Sequence, residues 1–565
     1  MLRRKSSYFS LLFLVIFCGS LLANSHPVQG KNGMVVTAQE LATKVGLHIL
    51  KKGGNAIDAA VAVGFALAVT YPAAGNLGGG GYMVIRKSDG TCTTLDYRER
   101  APMKAFRDMY LDAMGNHQPI LSEEGVTSSG VPGSVAGLIY ALEKYGTMKL
   151  SEVIQPAINL ATDGFSLSNS DARIINSNFK NWQKYESSGK IFLNNGEKYQ
   201  EGEIFKQKDL GKTLGLIKKF GKDGFYKGET AKLIVEQMTK DGGYMTLEDL
   251  GNYKVIEREP LRGTYRGYEI VSMPPSSSGG TALIQMLNIL ENTDLAKLGW
   301  GSSEYYHYLV ETMRRVYADR SKHLGDPEYY DVPLKQLISK EYARERFSSI
   351  KEVSSRSSEV LPGEVSGLYE SEETTHYSIY DKSGNAVSVT TTINSSFGSN
   401  VVVEGAGFLL NNEMDDFSSK PGVPNQFGLL GSEANSIEPG KRMLSSMTPT
   451  IVLKENEPYL VVGSPGGSTI MTVVLQVILN CIDFGMSIRD ANDAPRIHHQ
   501  WYPDEIWYEK FGLSNDVMEN MQRKGHIFAK KTRTLGLVEG IMIDKKAGII
   551  SGATDKRGYG LAEGY

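Results

Sequence analysis

Residue types able to do chemistry together are gathered in a few short stretches of this sequence. Glu372-Glu-Thr-Thr-His-Tyr-Ser378 places a hydroxyl, that of Thr374, at the mouth of a β-rich run, with His376 two residues on. A hydroxyl is a weak nucleophile until an adjacent base takes its proton. Thr390-Thr-Thr-Ile-Asn394 closes the next run, where alternation puts Thr390 and Thr392 on one face and Asn394 continues it. Asn411-Asn-Glu-Met-Asp-Asp-Phe417 holds three carboxylates, of which Glu413 and Asp416 are suited to grip a substrate ammonium through charge-assisted hydrogen bonds. Ser464-Pro-Gly-Gly-Ser-Thr469 reads as a strand-to-helix turn, whose backbone N–H groups point outward with no side chain in the way. Far upstream, Arg98 offers the planar fork that matches a carboxylate. Each stretch also has an ordinary reading. Threonine favours strands, acidic loops face water, glycine is common in turns and arginine is mostly exposed.

The elements that must position these residues follow from periodicity. Residues 38–51 and 56–69 carry apolar side chains at helical steps around the break Gly53-Gly54-Asn55, with Asn55 as a cap for the second helix. After Ala74-Gly-Asn-Leu-Gly-Gly-Gly-Gly81 come two strand-like runs, 82–86 and 92–98. The glycine run lacks both phosphate-loop spacings, so it does not read as a phosphate loop. Residues 100–350 are mainly helical and read as scaffold. Beyond them lie a hairpin (374–380 and 386–393, turning at Asp381-Lys-Ser-Gly-Asn385), a second hairpin (448–453 and 459–463) and an apolar helix, 469–482. Helices first, then strands feeding helices, predict stacked antiparallel sheets with helical layers outside.

In order and spacing, these stretches resemble the γ-glutamyltransferase family: T-T-H-x-S at 374–378, N-N-x-M-D-D-F at 411–417, K-R-P-L-S-S-M-x-P at 441–449 and D-[FY]-R-E-x-A-P at 96–102, within a likeness that spans 34–565. Met443 departs from the family's proline. The resemblance implies an α+β, four-layer αββα N-terminal-nucleophile fold made by two pieces of one chain, which cuts itself between Glu373 and Thr374. It divides the sequence into an export signal, 1–25, a large subunit, 26–373, and a small subunit, 374–565, associated as a heterodimer. Thr374 is then the nucleophile. Its freed α-amine, near pKa 8, serves as base, so His376 is expected to pack beside the strand instead. The same resemblance gives Thr392 a hydrogen bond to the nucleophile, Asn394, Glu413 and Asp416 the donor's amino group, and Ser445 and Ser446 its α-carboxylate, with Arg98 as counter-charge. Gly466 and Gly467 become the oxyanion hole. The implied donor is glutathione or another γ-glutamyl compound, with water, an amino acid or a dipeptide as acceptor and no cofactor. Lys420–Gly431 resembles a lid loop, with Phe427 where lidded members often carry tyrosine. Phenylalanine covers a pocket without a hydrogen bond across it, so a looser gate is expected, with hydrolysis competing against transfer.

Composition sets the outer limits. The chain is 41% hydrophobic and 22% charged, an ordinary globular balance. Arg3, Arg4 and Lys5 precede an apolar run, 8–18, too short to span a bilayer with ease, so the start reads as an export signal and the product as periplasmic or secreted. Without residues 1–25 the formal charge is −6, with Lys and Arg scattered, which argues against a nucleic-acid partner. Cys92 and Cys481 lie too far apart in sequence to read as a metal-site spacing, and no histidine pair has one either, so no metal is expected. Two rival readings remain at this stage: a cephalosporin or glutaryl acylase on the same fold, against which Asp416 and Arg98 argue, and an unprocessed binding protein.

Overall fold

The computed structural model describes residues 26–362, 374–420 and 433–565. The expected export segment, Glu373 and Phe427 lie outside the described residues.

Asn55 caps the helix Ala56–Thr70 as expected, in a reciprocal capping box with Asp58. Every residue of that helix is buried, and its small side chains let it lie close to the helix Glu40–Lys51 and to a sheet. The strands form two seven-stranded sheets, antiparallel throughout. One runs in the order Leu561–Gly564, Met34–Thr37, Thr375–Tyr380, Ala386–Thr392, Gly80–Arg86, Cys92–Asp96, Ile256–Arg258. The other runs Val28–Gly30, Ile549–Thr554, Glu539–Asp544, Glu457–Val462, Thr450–Lys454, Tyr268–Ser272, Leu261–Tyr265.

Three apolar cores separate four layers, as side-chain alternation requires. In the first sheet Val35, Ile85 and Tyr377 face the helices Glu40–Lys51 and Ala56–Thr70, while Met34, Val36 and Val84 meet Val271, Ile451 and Ile541 of the second sheet. The second sheet's outer face packs on the helices Gly279–Leu290, Ser303–His323 and Ile470–Ile482. This is the expected α+β, four-layer αββα sandwich.

Toward one end the layer between the sheets turns polar. Ser378 Oγ donates to Glu539 O at 2.8 Å, Ser388 Oγ donates to Val462 O at 3.1 Å and Thr450 N donates to Ser388 Oγ at 3.0 Å. These hydroxyls bind one sheet to the other next to the site.

Two strands end earlier than predicted, each for a local reason. The run expected to reach Arg98 stops at Asp96, because the Asp96 carboxylate accepts Arg98 N at 3.1 Å and turns the chain out of the ladder. The run expected to carry Asn394 on the Thr390–Thr392 face stops at Thr392, whose Oγ1 accepts Asn394 N at 2.8 Å. Asn394 takes a φ of 73°, so strand alternation does not place it. Among the described residues no helix is long and apolar enough to cross a membrane.

Candidate active site

Thr374 stands just before the strand Thr375–Tyr380, which pairs with Ala386–Thr392 from Thr375↔Thr391 to Tyr380↔Ala386. Continued by one residue, that register sets Thr374 opposite Thr392. Thr374 is 7% exposed, and its Oγ1 has no hydrogen-bond partner among the described residues. Buried hydroxyls normally have one. By alternation it shares the inter-sheet face with His376 and Ser378.

His376 is fully buried. Nδ1 shares a 2.9 Å hydrogen bond with Thr390 Oγ1 and Nε2 one of 3.1 Å with Ser378 Oγ. Burial lowers its pKa to about 3, so the ring is neutral and both its nitrogens are engaged. It packs, as the sequence led us to expect.

The glycines at 78–81 bring the neighbouring strand hard against this region. A Cβ at Gly79 would lie 2.0 Å from Thr392 O, and one at Gly80 2.5 Å from Glu99 Oε2. Asn76 completes the contact, donating from Nδ2 to Thr392 O at 2.9 Å and accepting Gly79 N at 2.9 Å.

Past the strand Glu457–Val462 the chain enters the Ser464–Thr469 turn, with φ of 128° at Gly466 and 50° at Gly467, conformations that favour glycine. The Gly466 carbonyl accepts from Thr469 N at 2.9 Å and from Thr469 Oγ1 at 2.7 Å. The turn leads into the helix Ile470–Ile482.

The charged residues meet in one buried cluster. Arg98, 1% exposed, bonds Glu413 and Asp416 directly through its two terminal nitrogens, and Glu99 Oε2 lies 3.6 Å from Nη1. Arg98 Nε also donates to Met443 O at 3.3 Å. The loop at 411–417 is therefore buried around a cation, not spread in water. Asn411 fixes it, bonding Gly78 O at 2.7 Å, Gly130 O at 2.8 Å and, through Oδ1, Gly130 N at 2.8 Å. Asn394 Nδ2 donates to Asn412 O at 2.9 Å, which joins the Thr392 strand to the same loop.

Burial opposes charge throughout this cluster. For Arg98 the three carboxylates outweigh it and hold the guanidinium firmly protonated. Neither oxygen of Glu99 has a hydrogen-bond partner among the described residues, and its nearest cation is already committed, so burial raises its pKa to about 7. Burial likewise pushes Glu413 up, against the pull of Arg98.

Ser445 and Ser446 are held by a part of the chain read as scaffold. Ser278 N donates to Ser445 O at 2.6 Å and Ser445 N donates to Ser276 O at 3.0 Å. Arg320, from the helix Ser303–His323, spans Ser278 Oγ at 2.9 Å and Ser446 Oγ at 3.3 Å. Asn435 links the serines to the carboxylates, donating to Asp416 O at 2.6 Å and accepting Leu444 N at 3.0 Å. Beneath them, Asp96 receives Arg258 Nε at 2.9 Å and lies 3.1 Å from Arg442 Nε. The sequence reading missed Glu99, Asn435, Ser278 and Arg320. The run Pro274-Pro-Ser-Ser-Ser-Gly-Gly280 was the available signal, dense in turn residues just before a helix.

A hydroxyl at the end of a strand in a four-layer αββα sandwich, beside a glycine turn and a buried Arg–carboxylate cluster, places the molecule among the N-terminal-nucleophile hydrolases. Residues 42–565 match the family model described as Gamma-glutamyltranspeptidase, and the chain belongs to that family. It is 49% identical over 545 residues to the glutathione hydrolase proenzyme of Escherichia coli (strain K12), covering 96% of this chain and 93% of that protein. A cephalosporin acylase from Bacillus halodurans superposes with a TM-score of 0.86 at 28% identity, over 100% of this chain and 99% of that one. A chain of Helicobacter pylori γ-glutamyltranspeptidase is 50% identical with a TM-score of 0.57, over 58% of this chain and 95% of that one.

Proposed function

We propose that this enzyme of the γ-glutamyltranspeptidase family cuts its own chain between Glu373 and Thr374 and then cleaves γ-glutamyl amides, glutathione among them, through an ester on Thr374. The observation that carries the reading is the placement of Thr374: a buried hydroxyl without a partner among the described residues, in register with Thr392, on a strand whose His376 packs against Gly463 just before the glycine turn. Once freed, the α-amine takes the Oγ1 proton as Oγ1 attacks the γ-carbonyl carbon, and the N–H groups of Gly466 and Gly467 receive the oxyanion. The C–N bond then breaks and the departing amine collects that proton. Water, or the amine of an amino acid or dipeptide, resolves the ester.

The headgroup site supports an α-amino acid. Without a donor, Arg98 pairs with both Glu413 and Asp416. A donor carries one group of each sign, so its carboxylate takes Arg98, Ser445 and Ser446 while its ammonium takes Asn394, Glu413 and Asp416. The donor's two charges thus take over partners that Arg98 and the carboxylates otherwise give each other. A simple glutaryl donor lacks the ammonium, which disfavours the acylase reading that the Bacillus halodurans superposition would otherwise favour. With phenylalanine at 427 where a tyrosine could hydrogen-bond, hydrolysis competes with transfer, and the product is exported, to the periplasm or beyond.

A denaturing gel and a glutamate assay test this together. The purified protein runs as two unequal bands, Thr374→Ala runs as one, and only the former releases glutamate from glutathione. An intact single chain with full activity overturns the mechanism.

A further inference from the structure

A cavity of about 290 Å³ opens against Gly466 and Thr469 of the glycine turn. Arg98, Glu413, Asp416 and the serine pair do not line it. Two arginines do, and they differ. Arg557 is spent: it bonds Glu509, Asp555 and the carbonyls of Asn492 and Ala494. Arg533 makes no side-chain hydrogen bond or ion pair among the described residues. Its guanidinium carbon lies 3.8 Å from the centre of the Trp507 ring, a stacked arrangement that leaves the N–H edge available. The platform beneath it is firm. Trp507 is 3% exposed, its Nε1 donates to Glu505 Oε1 at 3.1 Å, and Arg533 N donates to Tyr508 O at 3.0 Å.

We propose that Arg533, stacked on Trp507, is the subsite for the C-terminal carboxylate of the short peptide on the amine side of the γ-glutamyl bond. This rests on the γ-glutamyl transfer reading above. That reading assigns the donor's own charged groups to Arg98 and its neighbours, and the reacting carbonyl to Gly466 and Gly467. What remains to be held is the leaving dipeptide, and afterwards the acceptor that replaces it along the same path. In the transfer step the acceptor nitrogen bonds the ester carbon, the C–Oγ1 bond breaks, and a proton from the nitrogen returns through the α-amine to Oγ1. A guanidinium edge in the lining of a cavity that also reaches Gly466 can orient that nitrogen by the other end of its peptide. Because Arg533 is exposed, the contact is screened by salt and its effect moderate.

The test measures transfer from γ-glutamyl-p-nitroanilide to glycylglycine and to glycylglycinamide, which lacks the carboxylate, at low salt. Arg533→Ala lowers the ratio of kcat/KM for glycylglycine over glycylglycinamide about two- to fivefold, and Arg533→Glu lowers it further. The ratio is taken within one preparation, so loss of folded protein cancels. An unchanged ratio in both variants of an active parent overturns the subsite alone. A parent that releases no p-nitroaniline overturns the functional reading, and the subsite with it.

Discussion

The ring of His376 occupies the space where a side chain at position 463 would stand: a Cβ built on Gly463 lies 2.4 Å from both Cε1 and Nδ1 of the imidazole. The strand that follows Thr374 and the chain leading into the glycine turn are thus in contact through one neutral ring.

Gly463→Ala should therefore disturb both sides of the site at once. The ring is pinned by Thr390 and Ser378 and has little room to yield. Overpacking of this kind costs about 1–3 kcal/mol, and a displaced turn slows self-cleavage roughly tenfold or more. Denaturant midpoints of the uncut Thr374→Ala chain with and without the change, and a time course of band appearance in the otherwise native chain, check the two effects.

Acid should unfold the protein steeply. Burial lowers His376, His498 and His526 to about 3 and His499 to about 4. Their folded pKa values lie below the unfolded value near 6.5, so the stability they contribute is present above that pH and is lost as pH falls toward 3. Near pH 5 the unfolded chain binds about four more protons through these rings, a slope of about 5 kcal/mol per pH unit. Denaturant titrations of the Thr374→Ala chain at pH 7, 6 and 5 measure it; a flat midpoint contradicts the burial of these rings as neutral groups.

Glu99 should show the opposite sign. Its folded pKa, about 7, lies above the ordinary carboxylate value, so its contribution is full below pH 4.5 and is lost as pH rises to 7. The loss amounts to about 3 kcal/mol. Glu99→Gln in the uncut chain removes this dependence, so the variant gains on its parent between pH 5 and 8 by thermal midpoint.

Arg320→Lys tests the support of the serine pair. A lysine cannot span Ser278 and Ser446 as the guanidinium does. Losing such a hydrogen bond costs about 1 kcal/mol, so the donor KM should rise roughly five- to tenfold while kcat changes less. An equal fall in kcat and unchanged KM would place Arg320 elsewhere in the reaction.

Much of this was legible in the chain. The helix cap at Asn55 and the hairpin around residues 381–385 were both read from local patterns, and local physics builds them. The burial of Arg98 was not. Nothing in its own neighbourhood shows that Glu413 and Asp416 arrive from more than 300 residues away to neutralise it. Arg320 was hidden for the same reason: on a helix with alternating charges it reads as solvent-facing, and only the packing of Ser278 against Ser445 turns it inward. Asn394 escaped because a side chain, Thr392 Oγ1, ended the strand one step before alternation could place it.

Both sheets interleave strands from either side of residue 374: Thr375–Tyr380 sits between Met34–Thr37 and Ala386–Thr392, and Thr450–Lys454 beside Tyr268–Ser272. A nick at that position therefore frees no fragment, yet it changes the bookkeeping of denaturation. The precursor can lose and regain its structure as a single molecule, whereas the nicked form must find its other half again, at a rate set by concentration. Maturation would be a one-way door, and the active enzyme would be durable for as long as it never opens.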